Sequence, residues 1–418
     1  MSNALERFRN RVPRLKPVPL PVLVPSLSVD IALRSLIPPK AVAKVLLELY
    51  LNTFEKLHRI LHVPVFLHQM EYFWKAPHSG DVNWTAALIV VLRIGLLLRS
   101  QCPDPSMTYG SSEWINRMET QSLQLVELYL HTTTYSSKPS LESLQTQCLV
   151  VVARLTDGSK PHIPWKLLGG LLQTGILMGL HHDPSLFPDT VSPYDAEMRR
   201  RLWTTILELY VHVSRTSSLP FPLGGTQYNT LRPLNVGDMS FIPCAKELPE
   251  PERSTTITDA SFQHVLSGTL ALRSQLEATT VLNAMDGTLL QGEHCIACQM
   301  RKALRPVDSP FELTGIPGVD PSLHCLQRVF LEMVTESSFL HAGLFCFSVP
   351  TEHTKELHEC CRSILRHHQD PALSLVQRFI VARWFRNDII TAMLLLCLAL
   401  RAGQDGVREV MVPWKLGM

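Results

Sequence analysis

Apolar and polar positions along the chain recur mainly at helical spacing, and Ser192–Val213 (SPYDAEMRRRLWTTILELYVHV) shows it most clearly. Ser192 suits an N-cap and Pro193 the first helical position. Asp195, three residues after Ser192, suits a capping box. Leu202, Ile206, Leu209, Tyr210 and Val213 form an apolar stripe that Trp203 and Leu207 widen. On a regular helical wheel Arg199 shares the face of Trp203, Ile206 and Tyr210, Arg200 sits at the flank and Arg201 points away. The wheel therefore predicts a half-buried Arg199 with Asp195 as partner, and a solvated Arg201. Trp203 is expected in the core, against the Trp165–His181 helix.

The same spacing predicts helices near 40–61, 65–74, 84–100, 113–131, 140–155 and 165–181. Further helices are expected near 258–284, 289–304, 322–347, 353–368 and 372–402. Period-two alternation is scarce, so the fold class is all-α: one large multi-helix domain or two packed helical lobes. Long proline-rich breaks at 218–256 and 305–321 interrupt it. Residues 1–37 read as a basic, proline-rich arm, 38–402 as the helical domain and 403–418 as a tail. Gly169, Gly170 and Gly175 are costly inside a helix, and close helix–helix approach is the expected compensation.

Composition narrows the function more by exclusion than by assignment. The 418 residues are 45% hydrophobic and 18% charged, with a formal charge of +2. This balance is globular and demands neither nucleic acid nor an anionic membrane as partner. The apolar run Ala86–Leu98 is too short to span a bilayer and is broken by Arg93, so no membrane is expected. Ten cysteines without a secreted-type framework read as reduced intracellular thiols. The basic stretch Arg7–Lys16 suits either a solvated terminus or a nuclear-import signal.

Catalytic signatures are missing: there is no Walker loop, no G-x-G-x-x-G after a strand, no G-x-S-x-G and no H-E-x-x-H. No catalytic residue, cofactor or metal is therefore expected, and the chain does not read as an enzyme. His58 and His62 lie one helical turn apart but make only half a metal site. His181, His182 and Asp183 follow a helix end, where histidine suits the dipole. Cys295-x2-Cys298 before Arg301 and Lys302 looks like half of a binuclear zinc cluster. The third thiolate position is Arg305, so no zinc is expected there.

Four stretches, in order, carry a family resemblance. LYLNTFEKLHRILHVPVFLHQMEYFW (49–74) holds a His-x-Pro-x-Phe turn at His62, Pro64 and Phe66. WKLLGGLLQTGILMGLHHDP (165–184) ends in His181, Asp183 and Pro184, with His182 where arginine is usual. DAEMRRRLWTTILEL (195–209) holds Asp195, the Arg199–Arg200–Arg201 triplet and Trp203. YNTLRPLNVGDMSF (228–241) follows, and NDIITAMLLLCLAL (387–400) is a weaker echo. Together these resemble the regulatory domain of fungal-specific transcription factors, which usually stands behind a Zn2Cys6 DNA-binding cluster. No cysteine precedes residue 40, so the expectation is a regulatory domain without its own cluster. The resemblance implies a nuclear transcriptional regulator, by family habit beside secondary-metabolite genes. It would act through other transcription factors or co-regulators, as a homo- or heterodimer, with DNA reached indirectly or weakly. The competing readings are a helical ligand-binding protein or enzyme with an apolar cavity, and a truncated factor whose upstream exon encodes the cluster.

Overall fold

The computed structural model describes residues 26–402, apart from 77–80, 102–110, 137–138, 160–161, 188, 218, 220, 224–226, 254–255, 283–320 and 346–350. The described elements are all helical. They are α1 (Ser26–Arg34), α2 (Lys40–Leu51), α3 (Phe54–His58), α4 (Val63–Lys75), α5 (Val82–Arg99), α6 (Ser112–Ser136), α7 (Leu141–Thr156) and α8 (His162–Leu177). After them come α9 (Pro193–Ser217), α10 (Ser261–Ser267), α11 (Leu270–Leu282), α12 (Pro321–Phe345), α13 (Thr351–His368), α14 (Leu375–Trp384) and α15 (Arg386–Ala402). Apolar side chains from Val29 in α1 to Leu395 in α15 join in one large core, beside a small second cluster of Met198, Val236 and Phe241.

Local chemistry sets the boundaries. Ser192 caps α9: its hydroxyl accepts the Asp195 amide at 3.0 Å and donates to the Asp195 carboxylate at 2.8 Å. Capping boxes also start α7 at Ser140 and α14 at Ser374. The helix expected over 40–61 is two helices. Thr53 turns its hydroxyl back to the Leu49 carbonyl (2.5 Å), and Arg59 takes a left-handed φ of 44°. The expected 258–284 and 372–402 helices likewise break, at Gly268–Thr269 and at Phe385. The proline-rich arm is shorter than 1–37. Val29, Leu33 and Leu36 are buried in and beside α1, which packs on α6, so apolar spacing there outweighs the preceding prolines. The helix expected at 289–304, the cysteine pair 295/298, the 305–321 break and the 403–418 tail lie outside the described residues.

Two glycines permit close approach. A Cβ on Gly95 of α5 would lie 2.2 Å from the Leu46 carbonyl oxygen of α2, so these backbones touch. One on Gly175 of α8 would meet Trp203 and Ile206 of α9 at 3.4 Å. Gly169 and Gly170 have nothing within 4 Å of such a Cβ, contrary to expectation. They sit on the open side of α8, and sequence spacing alone does not tell the two sides apart. α5 is long and apolar enough to cross a membrane by composition, but 78% of that window is buried within the protein.

Candidate functional site

α9 runs through the middle of the molecule, and from Arg200 to Val211 every residue is buried. A helix with no solvated side has no face on which to leave charge in water, which corrects the wheel-based assignment. Arg201 is fully buried (0% exposed), Arg200 is buried, and Arg199 is the half-buried member. Arg199 does not pair with Asp195, whose carboxylate is engaged in the cap. It donates instead to the Met178 carbonyl at 2.9 Å.

Around Arg201 the fold assembles a buried ion network. Its Nε reaches Glu197 at 3.0 Å, Nη1 reaches Asp238 at 2.6 Å, and Nη2 donates to the Val236 carbonyl at 3.2 Å. Asp238 also pairs with Arg59, which its left-handed backbone aims inward, and accepts the Val63 amide at 3.0 Å. The Asp238 amide donates to Asp259, which holds Lys56 at 2.7 Å. Glu55 accepts from the Tyr50 hydroxyl (2.8 Å) and the Leu61 amide (3.0 Å). Burial acts to raise the Asp238 carboxyl, but the guanidiniums of Arg59 and Arg201 outweigh it and hold it below the usual carboxylate range. At Glu55 burial wins and pushes the carboxyl up to about 7. Burial likewise raises Glu197, against Arg201 and the Leu234 amide.

A second knot joins the other motifs. Asp183 takes both Arg200 Nε (2.9 Å) and Nη2 (2.7 Å), and accepts the amides of Leu231 (2.8 Å) and Ser185 (3.0 Å). Pro184 is buried and opens the short 3₁₀ turn Pro184–Leu186. Asn229 Oδ1 accepts the Asp183 amide (2.9 Å), and the Asn229 amide donates to the His181 carbonyl (3.0 Å). Burial opposes ionisation of Asp183, yet its bonds from Arg200 and Ser185 depress the carboxyl.

The histidines are held as structure. His62 Nε2 lies 3.0 Å from the carbonyls of both Asp238 and Phe241, and its Nδ1 caps α4 at Val65. Pro64 occupies the first turn of α4, while Phe66 packs on Trp84 at 5.5 Å. His58 stacks on Trp384 at 4.9 Å, and burial lowers its pKa to about 3. His181 packs 6.3 Å from Trp203. The described residues hold no group of three or more His, Cys, Asp or Glu placed to bind a metal.

The carboxylates of Asp183, Glu197 and Asp238 are committed to guanidiniums and backbone amides, so the arrangement ties loops to α9. It brings Arg200, Arg201, Asp183 and His62 together with the 228–241 turn, and leaves Asp195 in its cap. Sequence reasoning missed Arg59, Glu55 and Asp259 altogether. Asp238 stood inside a resembling stretch, the one signal that could have marked it. Beside the network lies a cleft of about 850 Å³ lined by Lys56, Asp259, Gln327 and Gln377.

Residues 47–211 match the fungal specific transcription factor domain. The chain is 32% identical over 280 residues to "Transcription factor opdR" of Penicillium oxalicum, covering 66% of this chain and 34% of the relative. It is 26% identical over 404 residues to "Pyrrolocin cluster transcription factor fsdR" of Fungal sp. (strain NRRL 50135), covering 89% and 50%. It is 29% identical over 239 residues to "Fusarisetin A cluster transcription factor fsa6" of Fusarium sp., covering 55% and 31%. The chain thus spans a third to a half of the length of these relatives. No solved structure matches it.

Proposed function

We propose that the chain, whose residues 47–211 match the fungal specific transcription factor domain, is a nuclear transcriptional regulator of a fungal secondary-metabolite gene cluster. The observation that carries this reading is structural. The four family-like stretches, distant in sequence, close on one another through Arg200–Asp183, Arg201–Asp238 and His62–Phe241. The resembling stretches thus meet in one connected region of this fold. Relatives named for the pyrrolocin and fusarisetin A clusters support the gene-cluster assignment.

Specific DNA reading needs an element that enters a groove and side chains that reach base edges. These 418 residues contain no Cys-x2-Cys-x6-Cys run, and the Arg triplet is committed to the interior or its edge. The isolated chain is thus expected to read no promoter at physiological salt. Other transcription factors or co-regulators are the expected partners of these residues. Two measurements test this together: chromatin immunoprecipitation of the tagged protein and gel shift with the purified 418-residue chain. Promoter occupancy with altered cluster transcripts in a deletion strain, and no specific shift in the tube, is the expected pattern. Nuclear exclusion with an unchanged transcriptome would end the regulatory reading. A competitor-resistant shift by the pure chain would end the indirect-DNA part alone.

A further inference from the structure

A separate cavity of about 290 Å³ opens between the end of α7, the last two turns of α9 and the α14–α15 junction. Arg383, Arg386 and His212 line it, with Ser159, Thr216 and Trp384, and its described lining residues include no carboxylate. The acids nearby are already engaged. Asp388 faces Arg215 at 3.4 Å, and Asp157 accepts the Ser159 amide and hydroxyl at 2.9 and 2.6 Å. Arg383 is half-buried, lies over the Phe379 ring at 5.5 Å and crosses the left-handed Gly158, where a Cβ would sit 2.8 Å from Nη1. Among the described residues no acid pairs with it. Arg386 is exposed beside it.

His212 adds a directed donor. Arg215 Nη2 lies 3.4 Å from His212 Nδ1. A guanidinium can only donate, so Nδ1 accepts and the ring proton sits on Nε2. The ring packs on Trp384 at 4.8 Å, and burial keeps it neutral. Nε2 has no protein partner among the described residues. Two guanidiniums and the neutral His212 ring therefore line a mainly apolar hollow, with no carboxylate among its described lining residues. Guanidinium pairs carboxylates with directed, charge-assisted hydrogen bonds, and does so best where water is partly excluded.

We propose that this cavity binds a small organic carboxylate, with its charge between Arg383 and Arg386 and its apolar body against Trp384, Val213 and Pro164. Nothing in the cavity depends on the regulatory function, so the test uses the purified 418-residue chain. Benzoate and its neutral isostere benzamide are titrated by calorimetry. Benzoate binding, with benzamide at least about tenfold weaker, is expected. Arg386→Gln, at the exposed mouth, keeps the ligand-free melting temperature and weakens benzoate about tenfold, and Arg383→Gln weakens it further. Arg362→Gln, an exposed control on α13, changes nothing. No benzoate heat at about 10 mM, equal binding of benzamide, or full binding by both arginine variants would overturn the proposal. The last result would leave Arg383 as a cap on the α7 dipole. Displacement of benzoate by equimolar inorganic phosphate would also overturn it, in favour of a simple anion hole.

Discussion

The two halves of α9 bury charge in different ways. In the N-terminal half, the charges of α9 meet loop residues: Glu197 accepts the Leu234 amide, Arg200 pairs with Asp183, and Arg201 reaches Asp238 and the Val236 carbonyl. In the C-terminal half the charges pair with helices. Glu208 takes both Nη atoms of Arg273 in α11 at 2.7 and 2.5 Å, and Arg215 faces Asp388 in α15 at 3.4 Å. Helices α11 and α15 also bring apolar surface of their own, whereas the 228–241 segment brings little beyond Tyr228, Leu234, Val236 and Phe241. Loop backbone has amides and carbonyls to satisfy wherever it is buried. The N-terminal ions thus hold backbone that packing alone does not hold. The C-terminal ions decorate contacts that packing already makes.

The largest expected effect separates the two halves directly. Arg201→Ala takes the guanidinium from Glu197 and one of two from Asp238 in the interior, and breaking such a buried pair costs about 3–5 kcal/mol. Asp238 keeps Arg59, which still favours its charged form, so protonation at neutral pH offers it little relief. Arg215→Ala leaves Asp388, whose carboxyl burial has already raised. It takes up a proton readily, and the loss is about 1–3 kcal/mol. Arg199→Ala loses one bond to a carbonyl and costs least of the three. Calorimetric melting temperatures rank them, and an Arg215 variant as damaged as the Arg201 variant would erase the distinction.

Next in size is a pH effect led by Glu55 in the N-terminal network. The Glu55 carboxyl is raised from its ordinary value to about 7 in the folded state. A group raised on folding gives its full contribution below its unfolded pKa, and loses it as pH climbs through the folded one. Stability should therefore fall by roughly 3 kcal/mol between about pH 4.5 and 7 from this group. Asp183 and Asp238 act in the opposite sense, because their depressed carboxyls favour the fold above the ordinary aspartate range and lose that contribution in acid. Glu55→Gln should reduce the neutral-range slope by this contribution, leaving the smaller part from Glu197 and Asp388, and leave the acid limb. An unchanged slope would place the titration elsewhere.

Much of this was legible in the sequence. The helical class, most helix centres and the Ser192 cap follow from spacing and capping chemistry that operate within a few residues. What failed depended on the third dimension. The wheel put Arg201 in water because it assumed that a surface helix leaves one side wet, whereas α9 is enclosed on all sides. Asp195 looked like the natural partner four residues from Arg199, yet the cap claims it first. Arg59, Glu55 and Asp259 carried no periodic signal, since their partners lie across long loops or inside a left-handed turn. Gly95 was passed over for Gly169 and Gly170 because only the packed structure shows which glycine meets a backbone.

A smaller effect should appear at the second knot. Asp183→Asn keeps the shape and the loop amide bonds but turns a charge-assisted pair with Arg200 into neutral bonds, costing about 1.5–3 kcal/mol. The loss should be local. Limited proteolysis should cut within the 227–258 segment before the helices are attacked, because local opening needs less energy than global unfolding. Glu208→Gln, with α11 still packed by its apolar face, should give no such early cut. Matching cleavage patterns would mean that the loop does not depend on its ions.

The smallest expected effect is the sharpest discriminator. Replacing a buried ion pair with apolar side chains of similar size is often neutral or stabilising, provided no partner is left behind. The C-terminal half meets that condition. Glu208 and Arg273 satisfy one another, and the remaining bonds of Arg273 go to Thr269 Oγ1 and the Leu266 carbonyl, which already bond each other at 2.9 Å. The double variant Glu208→Leu/Arg273→Met should therefore shift stability by no more than about 1 kcal/mol. The matched variant Glu197→Leu/Arg201→Met does not meet it. It orphans the Leu234 amide and the Val236 carbonyl and leaves Asp238 with Arg59 and the Val63 amide. Each orphaned buried backbone group costs about 1–3 kcal/mol, so this second variant should lose several kcal/mol that the first does not. Denaturant midpoints for the four single and two double variants give the coupling energy in each half. If both doubles are neutral, apolar burial alone holds the 228–241 loop; if both are costly, the C-terminal pair also specifies how α11 docks.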